Sequence, residues 1–108
     1  MQKAMLMLMA VLFTVVTNAQ SLKTDSFKVY GNCGMCKKKI EGALKADVQS
    51  ANWNSTTKQL VVTYDAAKIS NEKIQEKVAA VGYDTEKKKA DTKAYDKLPA
   101  CCQYDRKP

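Results

Sequence analysis

The sequence predicts a small α+β fold of β-α-β-β-α-β order, with two helices on one face of an antiparallel sheet. Residues 26–30 (SFKVY) and 59–64 (QLVVTY) are β-rich runs in which apolar side chains recur at strand spacing, the first alternating strictly. Each is followed, after a loop, by a stretch whose apolar residues recur at helical spacing. A chain of 108 residues has room for one compact domain.

The first strand alternates Phe27 and Val29 with Lys28 and Tyr30 and stops at Gly31, which opens a loop. From Cys36 the period changes. Cys36, Ile40, Ala43 and Leu44 fall on one helical face and predict a helix to about Lys45, weakened slightly by Gly42. Residues 48–53 follow as a strand with Gln49, Ala51 and Trp53 on one side. Asn54-Ser55-Thr56-Thr57 is a turn, short enough to make residues 59–64 the antiparallel partner. Ser70 or Asn71 caps a second helix, in which Ile74, Val78 and Val81 recur at i, i+4 and i+7 and which Gly82 ends. A short fourth strand from Tyr83, on the sheet edge, would complete the split βαβ or ferredoxin-like arrangement. Its residues 84–87 (DTEK) are almost wholly polar.

Two segments flank this domain. Met1-Gln2-Lys3, an apolar run over 4–16 broken only by Thr14, and Thr17-Asn18-Ala19 form the three-part pattern of a secretory signal cleaved after Ala19. The apolar run falls short of the roughly 20 residues of a membrane-spanning helix, so no stable membrane insertion is expected after cleavage. The expected layout is therefore a signal peptide at 1–19, an N-terminal extension at 20–25, the domain at 26–87, and a linker and Cys-Cys tail at 88–108. Such a chain is exported, to the periplasm or the medium.

The full chain carries a formal charge of +7, and cleavage would remove Lys3 alone of its charged residues. An exported protein with scattered lysines is not expected to bind nucleic acid. The runs Lys37-Lys38-Lys39 and Lys87-Lys88-Lys89 read as solvated surface, or else as a docking surface for an acidic partner. With no histidine, no nucleophile paired with a base and no phosphate loop, the sequence offers no enzyme site.

Four cysteines remain to be explained: Cys33 and Cys36 in a C-x-x-C, and the adjacent Cys101 and Cys102. Adjacent Cα atoms lie about 3.8 Å apart, below the usual separation for a disulfide, and neither internal pair would close a long loop. Cys33 lies in the loop after the first strand and Cys36 at the start of the helix, where free N–H groups and the helix dipole favour a thiolate. That placement makes Cys36 the expected more acidic thiol, helped by the three lysines after it. Gly31 and Gly34 let the loop fold tightly, so that both sulfurs aim at one spot. Close thiolates suit soft ions, above all Cu(I), with Hg(II), Zn(II) and Cd(II) also accommodated. The same C-x-x-C could instead serve a thiol–disulfide oxidoreductase. Against that stand the missing aromatic residue before Cys33 and the lack of a proline placed to pack on such a site.

Strand, G-N-C-G-M-C, helix, hairpin, helix and V-G-Y-D together resemble the heavy-metal-associated domain family of copper chaperones, metal-ATPase N-terminal domains and periplasmic mercury-binding proteins. The resemblance covers about residues 26–86 and implies a ferredoxin-like fold. It implies that Cys33 and Cys36 are the metal ligands, that Tyr83 is the loop residue near the metal, and that the ion is passed to a thiol-bearing acceptor such as a metal-transporting ATPase. Gly31, Asn32, Gly34 and Met35 complete the loop around the ligands. The family usually carries methionine and threonine where this chain has Gly31 and Asn32. The tail is an addition. Cys101 and Cys102 are either further soft ligands or an apolar plug, since free cysteine packs as a small hydrophobe. Tyr95, Leu98 and Tyr104 give that tail apolar anchors, so it is expected to dock, with at most one of its cysteines reaching the ion.

Overall fold

The computed structural model describes residues 21–106; the leader expected at 1–19 lies outside them. Strands β1 (Leu22–Lys28), β2 (Ser50–Trp53) and β3 (Gln59–Asp65) alternate with helices α1 (Gly34–Leu44) and α2 (Asn71–Ala80), and a short helix α3 (Thr92–Asp96) begins the tail. A single 3₁₀ turn, Ala100–Cys102, follows it. Both pairings are antiparallel, with β3 between β1 and β2.

The period of the central strand decides which face is buried. Leu60, Val62 and Tyr64 point inward while Val61 is exposed, as side chains two apart on a strand must. Phe27 joins them from β1, Val29 from just after it, Ile40 and Leu44 from α1, and Ile74 and Val78 from α2, in one cluster. Burying each such side chain stabilises the fold by about 1.5–3 kcal/mol. Ser70 caps α2, its hydroxyl accepting from the Lys73 amide at 3.1 Å. Asp25 then ties that helix to the sheet, accepting from the Tyr64 hydroxyl and from Asn71 Nδ2.

Besides β2 starting at Ser50 rather than Val48 and β1 ending at Lys28 rather than Tyr30, the structure departs from the expected elements in four places. β1 begins at Leu22, so residues 22–25, expected as an extension, pair with β3 down to Leu22 opposite Asp65. Helix α1 begins at Gly34, two residues before Cys36. Val81 is exposed rather than buried, because α2 ends at Ala80 and Val81 is already its cap. The fourth strand shrinks to one bridge, Val29 opposite Thr85, with Tyr30 N donating to Asp84 O and Glu86 N to Lys28 O. The chain bends away at once, since Thr85 N donates to Lys88 O and Gln75 Oε1 accepts from Thr85 Oγ1 and Lys87 N.

Residues 88–106 do not hang free of the domain. Tyr104 is buried, its hydroxyl accepting from Asp84 N at 2.7 Å and donating to Gly82 O at 2.9 Å. Arg106 binds both oxygens of the Asp84 carboxylate, at 3.1 and 2.9 Å. Gly82 sits at φ +108°, and a Cβ there would meet Ala94 O at 2.9 Å and the Leu98 side chain at 3.1 Å. Glycine is therefore needed twice over, for the helix terminus and for the close approach of the tail.

Candidate metal centre

The loop between β1 and α1 is shaped by what lies beneath it. Trp53 is buried, and its indole N–H donates to Val29 O at 2.9 Å. A Cβ on Gly31 would stand 3.0 Å from that ring and 3.3 Å from Cys36 Cβ. The space that the family resemblance assigns to a methionine side chain is thus filled by tryptophan, reaching in from β2. This pairing of Gly31 with Trp53 has no local sequence signature, because the two lie on separate elements.

Cys33 is the N-cap of α1, with an extended backbone at φ −138°. The Cys36 amide, then that of Met35, lowers its thiol pKa to about 7. Neither amide caps the sulfur with full hydrogen-bond geometry; proximity to the open helix end is sufficient. The position expected for Cys36, facing the free amides, therefore belongs to Cys33, because the helix starts earlier. Nor does Lys37 supply the charge: its Nζ turns to Glu41, Asn52 Oδ1 and Trp53 O, tying α1 to β2. Cys36 itself is buried, and its sulfur accepts from Asn32 N at 3.4 Å.

The two loop sulfurs are 3.9 Å apart. Cys102 arrives beside them from the tail, and the sulfurs of Cys33, Cys36 and Cys102 all lie within 4.8 Å of one another. Burial pushes the Cys102 thiol up to about 12. Cys101 faces outward: its sulfur is 4.0 Å from Cys102 Sγ and 3.7 Å from the exposed Met35 Sδ. Its backbone carbonyl nonetheless holds the loop, accepting from Cys33 Sγ at 3.5 Å and Asn32 Nδ2 at 3.4 Å. Gly34 opens α1, with nothing near its Cα that a side chain would strike.

Tyr83 is fully buried, and its ring stacks on Tyr104 at 6.0 Å. Its hydroxyl has no hydrogen-bond partner of good geometry among the described residues. Burial first, then the neighbouring thiols of Cys102 and Cys36, push its pKa upward. The centre is therefore a set of soft donors closed from behind by one phenol. Such a set fits a soft metal ion and offers no nitrogen ligand.

Residues 27–84, more than half of the chain, match the model of the heavy-metal-associated domain. A zinc-transporting ATPase of Synechocystis is 42% identical over 71 residues, which are 63% of this chain and 10% of that protein. The chain thus spans only about a tenth of that relative's length. Among solved structures, the CopZ metallochaperone is similar with a TM-score of 0.56 at 32% identity, over 58% of this chain and 98% of that one. Oxidized MerP from Ralstonia metallidurans is similar with a TM-score of 0.56 at 29% identity, over 60% and 94% of the two chains. The family match stops at residue 84, before the tail that carries Cys101 and Cys102.

Proposed function

Because the chain belongs to the heavy-metal-associated domain family, we propose that it is an exported carrier or scavenger of Cu(I), held by the thiolates of Cys33 and Cys36. The observation that carries this reading is the pair of sulfurs 3.9 Å apart at the open end of α1. A thiol brought down to about 7 is substantially ionised at neutral pH, ready for a soft ion. Cys33 is only half-buried, so an acceptor's thiol can reach the ion and displace one ligand at a time. The acceptor we favour is a thiol-bearing domain of a metal-transporting ATPase; the ATPase relative supports that choice. Export rests on the leader pattern over residues 1–19.

Titrating the reduced chain with Cu(I) and with Zn(II), each against chelators of graded affinity, tests the reading. One Cu(I) bound with a large preference over Zn(II) is the expected result. Uptake of Cu(I) no tighter than by the urea-unfolded chain would overturn it. Reduction of insulin disulfides by the metal-free protein would instead make it a thiol–disulfide oxidoreductase.

A further inference from the structure

We infer that Cys102 is a third thiolate ligand, delivered by the chain's own tail, so that the ion is held by three sulfurs in a trigonal site. This rests on the cargo site proposed for Cys33 and Cys36 and extends it to a residue outside the family match.

The sulfur triangle has the right size. With metal–sulfur bonds of about 2.3 Å, a trigonal site needs sulfurs about 4.0 Å apart, and a linear two-sulfur site about 4.6 Å. Cys33 and Cys36 stand 3.9 Å apart, already at the trigonal spacing. The third sulfur lies within 4.8 Å of both. The centre of a triangle with sides of 3.9–4.8 Å is about 2.3–2.8 Å from each corner, which is bonding range or just outside it.

The tail holds Cys102 there by several independent contacts. Cys102 N donates to Pro99 O at 2.8 Å, closing the turn that aims its side chain inward. Leu98 and Tyr104 are buried on either side of it, and the Tyr95 hydroxyl donates to Tyr104 O at 2.6 Å. Arg106 and Asp84 fasten the end. A cysteine used only as a small hydrophobe would need none of this alignment with two other thiols.

Tyr83 supplies a second observation. A fully buried hydroxyl without a partner is costly, and this one lies against the Cys36 and Cys102 sulfurs. Once those sulfurs are ionised by the metal they become strong acceptors, and the phenol has its partner. Coordination replaces each remaining S–H bond with a metal–sulfur bond, and the protons leave to solvent. Three thiolates around Cu(I) carry a net charge of −2, which the amides at the start of α1, the Asn32 N–H and the Tyr83 O–H offset. Cys101 stays outside the triangle, exposed beside Met35.

The test is copper K-edge X-ray absorption on the reduced chain with one equivalent of Cu(I), in thiol-free buffer at monomeric concentration. Wild type and Cys101→Ser are expected to show three sulfur neighbours. Cys102→Ser and Cys102→Ala should show two, still with one ion per chain and at least tenfold weaker binding. Two sulfurs in the wild type would overturn the third ligand while leaving the Cys33–Cys36 site standing. No uptake at all would overturn both. Three sulfurs retained in the Cys102 variants would assign the third ligand elsewhere. Should those variants lose their fold, three sulfurs in the Cys101→Ser, Met35→Leu double variant still identify Cys102, because no other sulfur beside the site is left.

Discussion

The molecule contains two pairs of cysteines close in sequence, and the fold treats them in opposite ways. Cys33 and Cys36, separated by three positions at a helix start, turn both sulfurs to one point. Cys101 and Cys102, adjacent in a 3₁₀ turn, keep their sulfurs just as close, at 4.0 Å, yet one is exposed and the other buried. Residues three apart at a helix start share one face, whereas adjacent residues do not, so Cys102 meets the loop thiols while Cys101 meets the exposed Met35. The loop pair therefore reads as one ligand unit, while the tail pair contributes residues one at a time.

The sharpest way to break this contrast is to remove the loop pair. The Cys33→Ser, Cys36→Ser double variant should lose orders of magnitude in Cu(I) affinity, since a hard hydroxyl is a poor substitute for a thiolate. Full retention in a chelator competition would mean that the tail pair alone binds the ion.

The tail's docking comes next. Tyr104→Ala removes a buried ring and two hydrogen bonds, and should lower folding stability by about 3–5 kcal/mol, the usual range for a buried aromatic truncated to alanine. An unchanged urea midpoint would show that the tail does not pack on the domain in solution.

A smaller effect is expected in the loop itself. Gly31→Ala pushes a methyl group against the Trp53 ring, and overpacking of this kind costs about 1–3 kcal/mol. A neutral or stabilising result, measured by the same denaturation, would mean that the indole has room to give.

The two pairs should also differ in their response to pH. Cys33 should alkylate with a midpoint of about 7, while Cys102, pushed up to about 12, stays inert to iodoacetamide through pH 9. The signs for stability follow. The folded Cys33 pKa is lowered from 9.0, so its contribution falls as pH drops from 9 to 7. The folded Cys102 pKa is raised from 9.0, so its contribution is lost as pH rises from 9 to 12. Mass mapping of the alkylated chain checks both residues at once, and equal rates would remove the distinction.

Much of the fold was legible because its strands and helices carry their own periods. Leu60, Val62 and Tyr64 announce a half-buried strand, and Ile40 with Leu44, or Ile74 with Val78, announce a helix face. Residues 22–25 were not legible as strand, since Leu22, Lys23 and Thr24 are all exposed and only the ladder to β3 makes them β. The near-loss of the fourth strand was foreshadowed by its polar residues. The cause, Gln75 capturing Thr85 and Lys87, depends on a buried glutamine that helical spacing alone does not single out.

The centre divides in the same way. Motif and spacing placed Cys33 and Cys36 at a helix start, but which of them met the amides depended on a two-residue shift in where α1 begins. The apolar anchors of the tail could be read from Tyr95, Leu98 and Tyr104. The ion pair from Arg106 to Asp84 could not, because residues 22 apart carry no local pattern. Which of two adjacent cysteines turns inward is equally a matter of tertiary contacts.

The chain has a single tryptophan, and it sits directly under the cysteine loop, with Gly31 against its ring. Its emission is therefore a built-in optical probe. A heavy ion arriving at the sulfurs changes the surroundings of the one indole that fluoresces. Loading, release and hand-over to an acceptor can accordingly be followed in real time on the unlabelled protein, with no second tryptophan to dilute the response.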